Sequence, residues 1–284
     1  MMTIVRAVGG VHSGMPTSDG AGVELTRMVG IPDLDCVDPF LMLDQIDSDD
    51  PNTYIAGFPD HPHRGFETVT IMLEGLMRHR DSAGNDGVLK PGDVQWMTAG
   101  RGIIHSEVPE ILDGRLRGFQ LWVNLPASKK MMSPNYQDIS RDRIPLARFN
   151  GGEARIITGN YLGQNGPAVP QTPIRLMDVR LKAGTEWIVD LEGANDLFIC
   201  VYEGTIIFAE HGSEVREVFP PATVVFEGNG ALRCEAGKDG AKILYCEGEP
   251  IGEPVAKYGP FVMNTHGELL QAVSDYNAGT FVTP

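Results

Sequence analysis

The stretch Thr68-Val69-Thr70-Ile71-Met72-Leu73 alternates apolar and polar residues and runs into Glu74-Gly75-Leu76-Met77. Alternation with a period of two is the pattern of a strand that buries one face. The end of this stretch has an echo, because Met72-Leu73-Glu74-Gly75-Leu76-Met77 is matched in the other half of the chain by Val201-Tyr202-Glu203-Gly204-Thr205-Ile206. A duplicated β-barrel accounts for both with one plan. Strand-like runs surround each copy: Asp93–Met97 and Gly118–Val123 in the first half, and Ile174–Val179, Asp196–Val201, Thr223–Phe226 and Lys242–Tyr245 in the second. With 34 Gly and 20 Pro spread between such runs over 284 residues, the expectation is an all-β protein with many turns and few, short helices.

After Asn124-Leu125-Pro126 the chain turns polar, from Ser128-Lys129-Lys130 to Phe149-Asn150-Gly151-Gly152, which reads as an inter-domain connection with solvated lysines. The expected division is 1–135 and 136–284. One helix is predicted at the end of the second part. Thr265 and Glu268 have capping-box spacing, and Leu269, Ala272, Val273 and Tyr276 recur at helical intervals.

The net charge of −15 opposes binding to a phosphate backbone or an anionic membrane, so small molecules or proteins are the expected partners. Met1-Met2-Thr3-Ile4-Val5-Arg6 has no secretory-signal pattern, and a cytoplasmic location is expected. Cys36, Cys200, Cys234 and Cys246 lack CxxC spacing and read as buried, reduced thiols.

The chemistry resides in two short patterns, His61-Pro62-His63 and His105-Ser106-Glu107. Residues two apart on a strand share a face, so each pair can aim both side chains into a barrel. Two adjacent strands then converge three imidazoles and a carboxylate, a donor set for a first-row divalent metal with positions left open. Glu67 has the parity of the same face and competes with Glu107 for the carboxylate role. Gln120 and Trp122 share a face of a later strand, and Trp96 and Phe66 are candidates for apolar wall. His12, His79, His211 and His266 have no matching partner and read as surface or hydrogen-bonded core residues. Gly100-Arg101-Gly102 is too short for a nucleotide loop, and Ser106 faces away from His105, which argues against a hydrolase.

Two long stretches around these patterns resemble the pirin-like bicupins of the cupin superfamily: Phe58-Pro59-Asp60-His61-Pro62-His63-Arg64-Gly65-Phe66-Glu67-Thr68-Val69 and Pro91 through Glu107. Gln120–Leu125 and Gly259–Thr265 are similar too. The resemblance implies two facing antiparallel β-barrels (double-stranded β-helices) and one metal ion in the first. Carried over residue by residue, His61, His63, His105 and Glu107 become the ligands. The metal so implied is Fe(II), with Zn, Mn, Ni, Co or Cu acceptable to the same donors. The implied activity is that of a quercetin 2,3-dioxygenase, which opens a flavonol ring with O2 and releases CO, with Glu107 also the candidate base. Animal relatives are described as nuclear, iron-containing coregulators, so the alternative is a non-enzymatic, redox-responsive protein acting through a protein partner. His61 and His63 precede Gly75 by 14 and 12 residues and His105 follows it by 30; the same offsets from Gly204 give Asp190, Glu192 and Cys234. The second barrel is therefore expected to be degenerate and metal-free, and the protein a monomer.

Overall fold

The computed structural model describes residues 4–110, 114–191, 195–209 and 215–282, so Glu192 and His211 lie outside the described residues. The chain forms two compact units, neither continuous in sequence. One, the histidine unit, contains residues 16–27, 39–141 and 251–284; the other contains 1–15, 28–38 and 142–250. Both are built almost wholly of antiparallel strands.

In the histidine unit a seven-stranded sheet has Phe66–Glu74, Leu116–Asn124 and Phe40–Ser48 at its centre. A four-stranded sheet runs in the order Phe58–His63, Ile103–Glu110, Leu76–Asp81, Asp86–Leu89. Leu25, Ile46, Met72 and Leu116 from the first sheet share an apolar cluster with Met77 and Leu89 from the second. The chain passes from one sheet to the other at Gly75, whose φ is +83° and whose place would set a Cβ against the Arg115 carbonyl. Only glycine takes that corner without strain. Gly204 makes a bend at the matching place in the second unit. There φ is +74°, and the strand Asp196–Ala209 continues through an irregular register on either side of it. The echo seen in the sequence is thus a shared corner, sharp in one unit and a bend in the other.

Several expectations change. Asn135–Ile139 is no linker but an edge strand paired to Val94–Thr98. Its polar composition is that of a strand with one side open. The helix spans His266–Asn277 and carries the expected capping box, but it belongs to the histidine unit rather than to the second part of the chain. Leu269 and Ala272 pack there with Phe261, Met263, Phe281 and Ile104. Conversely, Ala7–Ser13 pairs with Ala222–Glu227 in the nine-stranded sheet of the second unit. Finally, Lys130 is not solvated: it is 1% exposed and its Nζ donates to Gly65 O (2.7 Å), Asn124 Oδ1 (2.7 Å) and Val262 O (3.0 Å). Burial pulls its pKa down to about 8, which leaves an ammonium at neutral pH to satisfy three acceptors.

The second unit buries Trp187, Tyr245, Met177 and Phe208 in one large apolar cluster, with Trp187 Nε1 donating to Tyr161 Oη at 2.9 Å. Cys200, Cys234 and Cys246 are buried within this unit as expected, whereas Cys36 is exposed. Among the described residues no helix is long and apolar enough to cross a membrane.

Lys130→Met keeps the bulk and strands the three acceptors, so a loss of about 2–4 kcal/mol is expected from the cost of unpaired buried polar groups. Urea unfolding checks it: the midpoint should fall with an unchanged slope, and an unchanged midpoint would contradict the clamp.

Candidate metal centre

The two histidine-bearing strands are antiparallel neighbours, with His61 opposite His105 and His63 opposite Ile103. Because residues alternate faces, Ile104 points away from His105 and packs on the C-terminal helix cluster while His105 turns inward. One donor atom from each of His61, His63 and His105 lies within 4.8 Å of the others. Same-face spacing in the sequence therefore becomes a cluster of three imidazoles.

The hydrogen bonds around the rings leave their lone pairs inside. His61 Nδ1 is 2.8 Å from the Pro59 carbonyl and His63 Nδ1 is 3.4 Å from that of Pro260, so each Nδ1 is placed to carry the proton. The two Nε2 atoms then face each other at 3.0 Å. Two ligands about 2.1 Å from one ion and at near right angles to each other stand about 3.0 Å apart. Both ring nitrogens of His105 are buried without a hydrogen-bond partner, which an ion would answer at one of them. Burial, then the neighbouring imidazoles, holds the pKa values of His63 and His105 well below the usual range, which keeps both neutral and able to donate a lone pair. The residues present fit a divalent metal ion.

Glu107 opens to the same pocket but lies outside that cluster of donors. Thr70 Oγ1 is 2.8 Å from its Oε1, and Gln120 Nε2 donates to its Oε2 at 2.9 Å. Glu67, the competing carboxylate, is fully buried, and its Oε1 accepts from Trp96 Nε1 (3.0 Å) and Thr98 Oγ1 (2.7 Å). Trp96 therefore backs Glu67 and is not pocket wall. Phe66 and Trp122 stack at 4.3 Å between centroids, and Trp122 lines the pocket together with Met42 and Leu25. His79 is buried with Nε2 3.1 Å from Asp81, a core residue as expected. His12 and His266 are not among the clustered donors.

The pocket over the histidines has a volume of 560 Å³. A larger hollow, 760 Å³, lies in the second unit beside Arg175 and Glu247, but those groups are paired, Arg175 Nε donating to Glu247 Oε2 at 2.7 Å. The donor chemistry, not size, selects the smaller one. Arg27 sits at its edge, donating from Nε and Nη2 to the two oxygens of Asp44 at 2.8 Å each, with Asp19 and Asp60 nearby. Sequence reasoning missed Arg27 and Asp44, because neither belongs to a short motif.

Residues 22–123 match the family Pirin, and residues 176–282 match the Pirin C-terminal cupin domain. The chain belongs to the pirin family. A pirin-like protein of Caulobacter vibrioides is 49% identical over 98% of this chain and 99% of its own length. Pirin of Homo sapiens is 38% identical over 91% of this chain and 88% of its own. The crystal structure of a quercetin 2,3-dioxygenase from Acinetobacter baumannii superposes with a TM-score of 0.89 at 31% identity, covering 99% of both chains. This pirin-family chain thus has the all-β cupin fold, with a histidine triad that fits one metal ion.

Glu67→Gln should cost about 1–3 kcal/mol, the range for weakening hydrogen bonds to a buried charged group, while metal content stays at one ion per chain. Urea unfolding and metal analysis on the same sample check both halves; loss of the ion would make Glu67 a ligand.

Proposed function

We propose that the protein is an Fe(II)-dependent dioxygenase of the quercetin 2,3-dioxygenase type, which incorporates O2 into a flavonol, opens its ring and releases CO. The observation that carries this reading is a three-imidazole cluster and a carboxylate opening into one apolar-walled pocket. Similarity to the Acinetobacter baumannii quercetin 2,3-dioxygenase supports it. His61, His63 and His105 hold the ion, and Glu107 is the fourth donor. The bound ion supplies a Lewis acid for the flavonol 3-oxygen and a route for electrons between substrate and O2.

The chain's own groups do the rest. The slot between Trp122, Met42 and Leu25 takes a flat aromatic ring. Thr70 and Gln120 hold the Glu107 carboxylate towards the pocket, where it takes the 3-hydroxyl proton. Asp19, Asp44 and Asp60 against the single guanidinium of Arg27 make the mouth net negative, which favours a neutral hydroxylated ring over a carboxylate-bearing substrate.

Quercetin loss under oxygen is expected from anaerobically Fe(II)-loaded wild type and not from His61→Ala at equal protein. Glu107→Gln should retain metal yet lose about 100-fold or more in turnover, the usual worth of a general base. An inert wild type that alone holds iron would remove the enzyme and leave a metal-responsive binding protein.

A further inference from the structure

Behind Glu107, inside the histidine unit, lies a second and smaller hollow. Ile46, Phe58, Met72, Met77, Leu116 and Phe119 form its apolar wall. It leaves about 20 Å³ in which the centre of a water-sized molecule can move, room for one small occupant. Thr70, Glu107 and Gln120 also reach it, but they are turned on one another: Thr70 Oγ1 is 2.8 Å from Glu107 Oε1 and 2.6 Å from Gln120 Oε1. Gln120 Nε2 donates to Glu107 Oε2 at 2.9 Å. With these three groups turned on one another, most of the lining is apolar, which disfavours a buried water that needs two to four polar partners.

We infer that this chamber is a binding site for an apolar diatomic gas, dioxygen in the reaction proposed above. An apolar void left unfilled costs stability, because its lining forfeits contacts. This one stands next to the reactive pocket, since Ile46, Phe58, Glu107 and Gln120 line both. The hydrogen-bonded Glu107–Gln120 pair is common to the lining of both. Dioxygen, apolar and poorly hydrated, partitions into such a space without competing with the flavonol for the mouth. The apolar site follows from the lining alone, whereas its assignment to dioxygen rests on the dioxygenase reading.

Crystals of the metal-loaded protein pressurised with krypton and measured at the krypton edge test the site directly. One anomalous peak enclosed by Met72, Met77, Leu116 and Phe119 is expected; an ordered water or an empty chamber overturns the inference. Leu116→Phe fills the space from the seven-stranded sheet and should abolish the peak and raise KM for O2 at least threefold, with KM for quercetin unchanged. A lost peak with unaltered KM for O2 overturns the oxygen role. Should that variant fail to fold, krypton in the wild type still decides. Krypton bound by a protein inert to quercetin leaves the apolar site standing and fells the dioxygenase reading; quercetin opened by a protein that takes no krypton does the reverse.

Discussion

Three imidazoles, His63 and His105 buried and His61 half-buried, with their lone pairs turned towards one another have nothing of their own to attract them. The 3.0 Å approach of His61 Nε2 to His63 Nε2 is favourable only with a proton or an ion between them. What holds the cluster is the scaffold. The register that sets His61 opposite His105 is fixed by backbone pairing, and Ile104, between the ligand-bearing face and the helix, is anchored in the C-terminal apolar cluster. The Pro260 carbonyl against His63 comes from the same C-terminal segment. That segment is in turn tied down next to the histidine motif, by Lys130 bridging Gly65 and Val262 and by Arg64 Nη1 on Asp275 at 2.7 Å. An outer layer of this kind orients metal ligands and is as much part of a site as the ligands themselves.

Much of this was legible in the sequence because it depends on short-range periodicity. The i, i+2 spacing of His61 with His63 places them on one face whatever the surroundings, and the Glu-Gly echo marks a backbone corner that needs a positive φ. Thr265 and Glu268 announce the start of the helix by local hydrogen bonding. The rest depends on contacts far apart in the chain. Lys130 carries no mark of its buried role, since its acceptors at Gly65 and Val262 are set by tertiary folding. The edge strand Asn135–Ile139 has a linker's composition because one side of it is open. Membership of the helix in the histidine unit is likewise a matter of which apolar face meets Ile104 and Phe261. Glu67 and Trp96 lie on the face of the sheet opposite Thr70, Gln120 and Trp122, a register that only the structure reveals, and there they bond to each other.

Among the described residues, the clustered metal donors lie in the histidine unit. At the positions matched by offset from Gly204, Asp190 is exposed and Cys234 is buried, so those two do not converge. Trp187, Phe208 and Tyr245 fill the interior of the second unit instead. Both units set polar groups in their cores, Asp178, Thr223 and Glu247 in the second and Glu67, Thr70, His105 and Glu107 in the histidine unit. The two units share a common corner.

The central claim is that the histidine cluster and Glu107 form one metal site with Glu67 left out. A crystal structure of the Fe(II)-loaded protein, with the ion located by anomalous scattering, tests it most directly. The account predicts a single ion bonded to His61, His63, His105 and Glu107, with Glu67 still held by Trp96 and Thr98. An ion bonded to Glu67, or one that leaves any of the three imidazoles free, would contradict it.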